Sequence, residues 1–280
     1  MPYDKIENFK GSIIQHGHHN DRVYLMQSNK LPSAKFPYEL VDLAYTNKYS
    51  KIFIKIPANA ATLFFNAGFL AEAIIPGFFS GKETAVFMGF YLNDERSRET
   101  CIDKIENTLK TALAKKTEAK ASCLENRFIL RKCNKTDVSV MAKIYREVFP
   151  SYPFPIHNPD YLLKTMLSNI NYFCIEKDGE LAAISSAEVN EEDANVEMTD
   201  FATLPGWRGN DFGQYLLAGM ENDIKKKNIK TAYTIARALS PGMNITFSKA
   251  GYQFGGRLKN NTNISGKIES MNVWYKPIIG

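Results

Sequence analysis

Segment 199–217 constrains the fold of this chain most strongly, because its pattern is typical of a strand that runs through a proline into an Arg-Gly-rich turn and then into a helix. A helix N-terminus leaves backbone N–H groups unpaired and carries a partial positive charge. Gly209 and Gly213 expose the main chain there, and Arg208 adds a charge. The segment predicts a site for phosphate groups, although an ordinary strand-to-helix turn also uses glycine.

The elements around this segment follow a regular order. A helical stripe of Phe212, Leu216, Met220 and Ile224 predicts that the turn is anchored by a buried helix. Strands are predicted at 128–131, 172–176, 181–189, 196–204, 231–236 and 271–275. Helices are predicted from 136 to 148, near 161–167 and near 243–249, the last followed by the turn Gly251-Tyr252.

This order, with the phosphate turn after the fourth strand, resembles the GNAT acetyltransferase superfamily. Arg208 and Gly213 match the outer positions of its phosphate-binding motif, and Pro205 matches the end of the preceding strand. Asp211 stands where the first glycine is expected, and its carboxylate would repel a pyrophosphate unless it points away. The resemblance implies an α/β fold with a mixed sheet, the acyl-CoA N-acyltransferase fold.

A narrower resemblance covers nearly the whole chain. Segments 75–79, 152–156, 197–205, 232–237, 242–247, 260–264 and 269–276 are similar to those of bacterial and archaeal β-lysine N-acetyltransferases. The similarity implies transfer of acetyl from acetyl-CoA, without a metal, to the ε-amine of β-lysine. The product, N-ε-acetyl-β-lysine, is a compatible solute used in osmoadaptation. Acetylation of another amine, such as a polyamine or a protein lysine, and a non-catalytic acyl-CoA sensor stay open as alternatives.

The resemblance also implies where acetyl-CoA binds. Its phosphates are expected at the turn, and backbone donors of the strand end are expected to polarise the thioester carbonyl. The residues expected to bind it are Phe201, Ala202, Thr203, Arg208, Gly209, Asn210, Phe212, Gly213, Gln214 and Asn244.

The reaction requires a base, because an alkyl ammonium with a pKa near ~10.4 is only about one part in two thousand neutral at pH 7. Glu197 is the first candidate, since the superfamily's histone-type enzymes carry their base at this position of the strand. Asp200 and Glu188 are the next candidates, as bases or as partners of the substrate ammonium. Strand alternation places Glu197 and Asp200 on opposite faces unless a bulge intervenes, so one of them is expected to face the amine.

The amine substrate is expected under the proline-rich loop 149–159. Tyr152, Phe154 and His157 are predicted to shape its pocket, although such clusters also close ordinary cores. Arg237 is a candidate partner for the substrate carboxylate, and Asn244 is a second one. Many GNAT enzymes carry a tyrosine as general acid four residues before the late glycine.

In this chain the position of that general-acid tyrosine, four residues before Gly251, is occupied by Phe247. Phe247 cannot donate a proton, so Tyr252, Tyr233 or water is expected to substitute.

Charge and composition narrow the class of protein. The net charge of +5 comes with lysine clusters at 110–120 and 225–230, which we interpret as solvated helix faces and not as a nucleic-acid site. The N-terminus lacks a signal-peptide pattern and no apolar run is long enough to span a bilayer, which predicts a cytoplasmic protein without membrane contact. Cys101, Cys123, Cys133 and Cys174 form no Cys-x-x-Cys pair, which favours reduced thiols.

The lysine-rich stretch 94–121 predicts a connecting helix, with a boundary near Ser122 between an N-terminal domain (1–121) and a catalytic domain (122–280). The N-terminal part faintly repeats the catalytic part, with strands at 51–56 and 85–88, a helix at 60–67 and the turn Gly68-Phe69. We interpret it as a degenerate GNAT-like half that serves shape or homodimerisation. The histidines at 16–19 favour a hairpin turn over a metal site.

Overall fold

The first part of the chain alternates strands with short helices in the computed structural model, which describes residues 2–28, 33–116 and 124–278. Its strands are β1 (Lys5–Phe9), β2 (Ser12–Gly17), β3 (Arg22–Ser28), β4 (Lys51–Pro57), β5 (Leu70–Phe79) and β6 (Glu83–Tyr91). Its helices are α1 (Phe36–Thr46), α2 (Ala61–Asn66), α3 (Asp94–Ser97) and α4 (Ile102–Ala114).

The second part contains the predicted strand-turn-helix as β10 and α7. Its strands are β7 (Ile129–Lys132), β8 (Ile170–Lys177), β9 (Glu180–Asn190), β10 (Asn195–Thr203), β11 (Thr231–Arg237), β12 (Gln253–Ile264) and β13 (Lys267–Pro277). Its helices are α5 (Val138–Val148), α6 (Pro159–Met166), α7 (Phe212–Ile224) and α8 (Pro241–Lys249). Every strand and helix predicted in this part is present with shifted ends, and β12 is an additional strand.

The strands of both parts form one sheet. Within the described residues its order is β1-β2-β3-β4-β6-β5-β12-β13-β11-β10-β9-β8-β7. The first six strands follow the same order as β8-β9-β10-β11-β13-β12 counted from the other edge. In each half the third and fourth strands are parallel and are joined across a helix, α1 or α7. The faint sequence repeat is therefore a repeat of topology.

The proposed domain boundary near Ser122 lies outside the described residues, so the division at that position stays a prediction.

The two halves meet where β5 pairs with β12 at Ala73 and Gly256. Gly256 has a φ of 142°, and a Cβ there would lie 2.2 Å from the carbonyl oxygen of Glu72. Next to this contact the buried Lys51 Nζ donates to Glu72 Oε2 at 2.8 Å and to the Lys259 carbonyl at 2.7 Å. The close backbone approach and the hydrogen bonds of the buried Lys51–Glu72 ion pair to the backbone of Lys259 thus hold the halves together.

The hydrophobic core consists of three clusters of buried residues, one of which is shared by the two halves. One cluster belongs to the N-terminal half, and a second buries the predicted α7 stripe of Phe212, Leu216, Met220 and Ile224. The third cluster is shared, because it joins aromatic rings of β3, β4 and β6 to those of α5 and β11. The inner faces of the two halves therefore pack against each other.

The predicted helix over 94–121 is interrupted. Asn93 accepts a hydrogen bond from the Arg96 N–H at 2.8 Å and begins α3, which ends at Ser97. Cys101 then has a left-handed φ of 62° before α4 begins. Residues 117–121 of the predicted helix lie outside the described residues. Across the described ranges, no helix combines the length and the apolar character that crossing a membrane requires.

The histidine-rich segment forms the turn between β2 and β3, as the hairpin interpretation expects. His16 is buried and its ring nitrogens lie 2.8 Å from Glu7 Oε1 and 3.1 Å from Tyr49 Oη. His19 Nε2 lies 2.9 Å from the carbonyl oxygen of Tyr152. These side chains therefore fasten the hairpin to the rest of the fold.

We expect Gly256→Ala to lower the free energy of unfolding by about 2 to 3 kcal/mol or more, because the new Cβ collides with backbone at the joint. The matched control is Gly179→Ala, whose φ of 84° is also positive but whose Cβ meets nothing within 4 Å. Backbone strain alone should cost the control about 1 kcal/mol. Equal losses in chemical denaturation would contradict a tight joint.

Candidate active site

Strand β10 contains a bulge at its centre. Its register with β9 shifts between Thr199 and Ala202, and Asp200 has a φ of 56°, a conformation that aspartate tolerates better than most residues. The parallel pairing of β10 with β11 ends at Glu197 and Tyr233. Beyond this pair the two strands separate, and a gap opens in front of α7.

The gap holds a cavity of about 530 Å³, here called the smaller cavity. Seven of the predicted acetyl-CoA residues line it, namely Phe201, Thr203, Arg208, Gly209, Asn210, Phe212 and Gly213. Gly209 has a φ of 90° and open space at its Cβ position. Asp211 also lines the cavity and holds the left-handed position before α7 with a φ of 53°. Ala202 and Gln214 do not line it within the described part of the chain.

Asn244 was predicted to bind acetyl-CoA, but the structure gives its side chain a different role. It is fully buried, and its Nδ2 donates to the carbonyl oxygens of Arg237 and Ser240 at 2.9 and 2.8 Å. Its Oδ1 accepts from Asn272 Nδ2 at 2.8 Å and from Trp274 Nε1 at 2.9 Å. All its hydrogen-bonding capacity is used inside the protein, so it fixes α8 against β11 and β13 and is not free to bind a ligand.

A larger cavity of about 1080 Å³ lies on the other side of the bulge, between the two halves. Glu188 and Glu197 face each other directly across β9 and β10, and both line this larger cavity. Burial raises the pKa of Glu197 to about 7, with a further rise from the charge of Glu188 and a partial reduction from Lys55. Burial also raises the pKa of Glu188. The larger cavity therefore contains a carboxyl group that titrates near neutral pH.

Asp200 lines both cavities, and each of its carboxylate oxygens has a donor. The hydroxyl of Tyr152 donates to one oxygen and the hydroxyl of Ser186 donates to the other. Burial raises the pKa of Asp200, while these hydrogen bonds lower it. Strict alternation does not hold here, because the bulge turns Asp200 to the same side as Glu197.

The two cavities meet at the bulge. Six residues line both of them, namely Tyr152, Thr199, Asp200, Ile235, Ile264 and Met271. A group that enters along the separated strands and a group held beside Glu197 would therefore approach each other at this junction.

The structure brings together three of the predicted substrate residues. Tyr152, Phe154 and Glu188 line the larger cavity. His157 lines neither cavity within the described residues. Arg237 lines the smaller cavity, where its Nε and Nη2 bind Glu269 at 2.9 and 2.8 Å. The guanidinium of Arg237 is thus occupied, and the structure brings neither Arg237 nor His157 to Glu197.

The candidates for the general acid differ in position. Phe247 is buried and lines the smaller cavity. Tyr252 is buried and lines neither cavity of the described chain. Tyr233 lines the larger cavity, and its hydroxyl lies 3.4 Å from Lys55 Nζ. Of the tyrosines suggested by the sequence, only Tyr233 is near Glu197.

Sequence reasoning missed the wall that the N-terminal half contributes. Arg22, Tyr24, Phe53 and Lys55 line the larger cavity from β3 and β4. The signal was present in 51–56, where lysines interrupt an otherwise apolar strand. A lysine on a buried strand is unusual unless it has a partner or a function.

Comparisons with known proteins found relatives of this chain by sequence and by structure. The model of the acetyltransferase (GNAT) family matches residues 139–242. The chain is 37% identical to a beta-lysine N(6)-acetyltransferase of Methanococcus maripaludis over 98% of both chains. It is 33% identical to that of Methanosarcina mazei, over 84% of this chain and 93% of the relative. A crystal structure of spermidine N-acetyltransferase from Vibrio cholerae with CoA and spermine is 15% identical, with a TM-score of 0.47 over 55% of this chain and 96% of that one.

We expect Tyr152→Phe to cost about 1.5 to 3 kcal/mol of stability, because it removes a donor from a buried carboxylate. The control Tyr172→Phe removes a hydrogen bond between two neutral hydroxyls, with Thr165 at 2.8 Å, and should cost about 1 kcal/mol.

Because the pKa of Asp200 is raised, its ionisation lowers stability as the pH rises, and losing Tyr152 enlarges this effect. Denaturation at pH 4, close to the ordinary aspartate pKa, and at pH 7 should show a larger loss for Tyr152→Phe at pH 7. A loss independent of pH and equal to that of Tyr172→Phe would contradict the role of Tyr152.

Proposed function

The chain belongs to the beta-lysine N(6)-acetyltransferase family within the GNAT acetyltransferases, and from this premise we propose that it acetylates the ε-amine of beta-lysine, 3,6-diaminohexanoate. It is an acetyl-CoA-dependent amine N-acetyltransferase. The observation that carries the substrate proposal is the junction at Asp200, where a cavity with two carboxyl groups opens into the cavity beside the α7 N-terminus.

The smaller cavity fits the phosphate groups of acetyl-CoA. The first N–H groups of α7 have no partner inside the helix, and Gly209 leaves the main chain accessible. Arg208 adds a positive charge at the same turn. We assign the pyrophosphate to this turn.

Acetyl-CoA supplies an acetyl thioester with an electrophilic carbonyl carbon. The end of β10 has lost its pairing with β11 after Glu197, so the strand faces the smaller cavity instead of a neighbouring strand. We assign polarisation of the thioester carbonyl to the backbone N–H groups of Phe201 and Thr203, the two residues of the predicted 201–203 segment that line the smaller cavity. The acetyl group then lies at the junction of the two cavities.

Glu197 takes the proton from the substrate ammonium. Its pKa of about 7 leaves it substantially ionised at neutral pH and still basic enough to accept a proton. Moving the proton from an alkyl ammonium with a pKa near ~10.4 to this group costs about 4 to 5 kcal/mol. The second ammonium of the substrate lies near Glu188. Asp200 orients Tyr152 at the junction, since both its oxygens are already engaged.

Finer consequences follow from the family and the sequence. We propose that the product is a compatible solute used in osmoadaptation, that the reaction needs no metal and that the protein works in the cytoplasm. The described cysteines Cys101, Cys133 and Cys174 are free thiols, which agrees with a reducing compartment, and Cys123 lies outside the described residues. Homodimerisation stays a prediction.

The proposed function is tested by CoA release from acetyl-CoA with β-lysine, α-lysine, spermidine and a lysine peptide at equal concentrations. Preference for β-lysine is the expected result. Preference for spermidine or the peptide would overturn the substrate proposal, and release with none of them would favour an acyl-CoA sensor.

We expect kcat/KM for β-lysine to rise with pH and to level off above about 7, because Glu197 must be ionised to accept the proton. Glu197→Gln should lower kcat about 10² to 10³-fold and abolish the rise of kcat/KM with pH, while the Kd of acetyl-CoA stays unchanged.

The matched control is Glu188→Gln, which removes the neighbouring like charge. Because Glu188 raises the pKa of Glu197, this variant should keep the rise of kcat/KM with pH and shift the midpoint of that rise to lower pH. Unchanged turnover in Glu197→Gln would remove Glu197 from the reaction.

We expect Asp211→Gly to tighten acetyl-CoA binding about two- to fivefold, because it removes a negative charge beside the pyrophosphate site and suits the left-handed φ. Asp211→Asn removes the charge alone and should give most of the gain. Calorimetric titration with acetyl-CoA measures both. No change in either variant would show that the carboxylate points away from the phosphates.

A further inference from the structure

Two cations of the N-terminal half, Arg22 and Lys55, line the larger cavity and have no substrate group assigned to them above. We propose that Arg22, assisted by Lys55, binds the carboxylate of the substrate and thereby selects a diamino acid over a plain diamine. This inference rests on the proposed function, because the carboxylate in question is that of β-lysine.

Arg22 is a buried guanidinium on which the charge of Asp4 acts only from beyond ion-pair distance. It is 3% exposed and lines the larger cavity from β3. Its Nη1 donates to the carbonyl oxygen of Asn261 at 2.5 Å and to Thr262 Oγ1 at 3.2 Å, and both acceptors are neutral. Across residues 2–28, 33–116 and 124–278 its Nε has no partner and no carboxylate forms an ion pair with it. A buried charge of this kind is stabilised when a ligand supplies the counter-charge.

Aromatic rings hold this guanidinium in place. Its Cζ lies 5.1 Å from the centre of the Tyr24 ring and 5.7 Å from that of Phe53. Burial lowers the pKa of Arg22 to about 10, so it stays charged at neutral pH. A fixed planar guanidinium with open donors suits a carboxylate, which it can bind through two parallel hydrogen bonds.

Lys55 is a second cation of the same wall, near the Tyr24 ring that Arg22 also contacts and close enough to Glu197 and Glu188 to interact with their charges. Its Nζ lies 5.4 Å from the centre of the Tyr24 ring and 5.7 Å from that of Tyr233. Burial lowers its pKa, but Tyr24 and Glu197 outweigh this effect and the net change is a rise. No carboxylate of the described chain lies within ion-pair distance of it. Lys55 is thus charged and available to a ligand.

The charges of the larger cavity match those of a diamino acid. Arg22 and Lys55 stand on the N-terminal wall, and Glu188 and Glu197 stand on the catalytic wall. β-lysine carries one carboxylate and two amines, with the carboxylate at the opposite end of the chain from the ε-amine. Binding the carboxylate at Arg22 therefore directs the ε-amine toward Glu197. A diamine without the carboxylate supplies no counter-charge to Arg22.

The test compares β-lysine with pentane-1,4-diamine, which keeps both amines at the same spacing and lacks only the carboxylate. The preference is the ratio of the two kcat/KM values. It is measured for the wild-type protein, for Arg22→Met and for Thr262→Val. The last variant is the matched control, because it weakens the contact of Arg22 with β12 and keeps the guanidinium.

Wild type should prefer β-lysine by about 30-fold or more, as loss of a charge-assisted pair predicts. Arg22→Met should reduce this preference to about threefold through a higher KM for β-lysine, with turnover of the diamine retained. Thr262→Val should keep the preference.

Retained preference in Arg22→Met, or an equal loss in Thr262→Val, would overturn the assignment of Arg22 and leave the proposed function intact. An Arg22→Met protein that acetylates neither compound would be replaced by Arg22→Lys, which keeps the charge but not the planar pair of donors. Arg22→Lys should give an intermediate preference, and a preference equal to that of wild type would overturn the assignment. A wild-type protein that does not acetylate β-lysine would overturn the proposed function and this inference with it.

Discussion

The bulge at Asp200 is the constraint on which the rest of the site depends. A left-handed residue in the middle of β10 ends its pairing with β11 at Glu197 and so opens the smaller cavity between two strands. The same bulge turns Asp200 to the side of Glu197 and joins the two cavities. Hydroxyl groups of Tyr152 and Ser186 satisfy the Asp200 carboxylate, which offsets the cost of burying it at a strained position.

The duplicated topology provides the N-terminal wall of the larger cavity. The N-terminal half keeps the strand order of a GNAT domain, and its edge strand β5 meets the equivalent edge strand β12. Pairing these edges covers backbone groups that would otherwise be open to other chains. It also brings β3 and β4 opposite β9 and β10, so the cations Arg22 and Lys55 face the carboxyl groups of Glu188 and Glu197.

The local sequence pattern was sufficient to predict the strand-turn-helix of 199–217. Features that depend on contacts between distant parts of the chain could not be predicted from it. The stripe on α7 and the glycines before it specify a buried helix behind an open turn, and both are present. Strand β12 was missed because Gly255, Gly256 and the asparagines at 260–263 have low strand propensity. The role of Asn244 was wrong because its partners on β13 come from a distant part of the chain. The lysines of 51–56 were a local signal on β4, but the partners of Arg22 and Lys55 could not be predicted, because Glu197 lies 175 residues after Arg22 and 142 residues after Lys55.

The most direct measurement is the position of the acetyl group in the product. Nuclear magnetic resonance of the product made from ¹⁵N-labelled β-lysine distinguishes acetylation at N6 from acetylation at N3. A substrate held by its carboxylate at Arg22, with the distal amine at Glu197 and the junction, gives acetyl at N6 alone. Acetylation at N3, or a mixture of both products, would contradict this orientation of the substrate in the larger cavity.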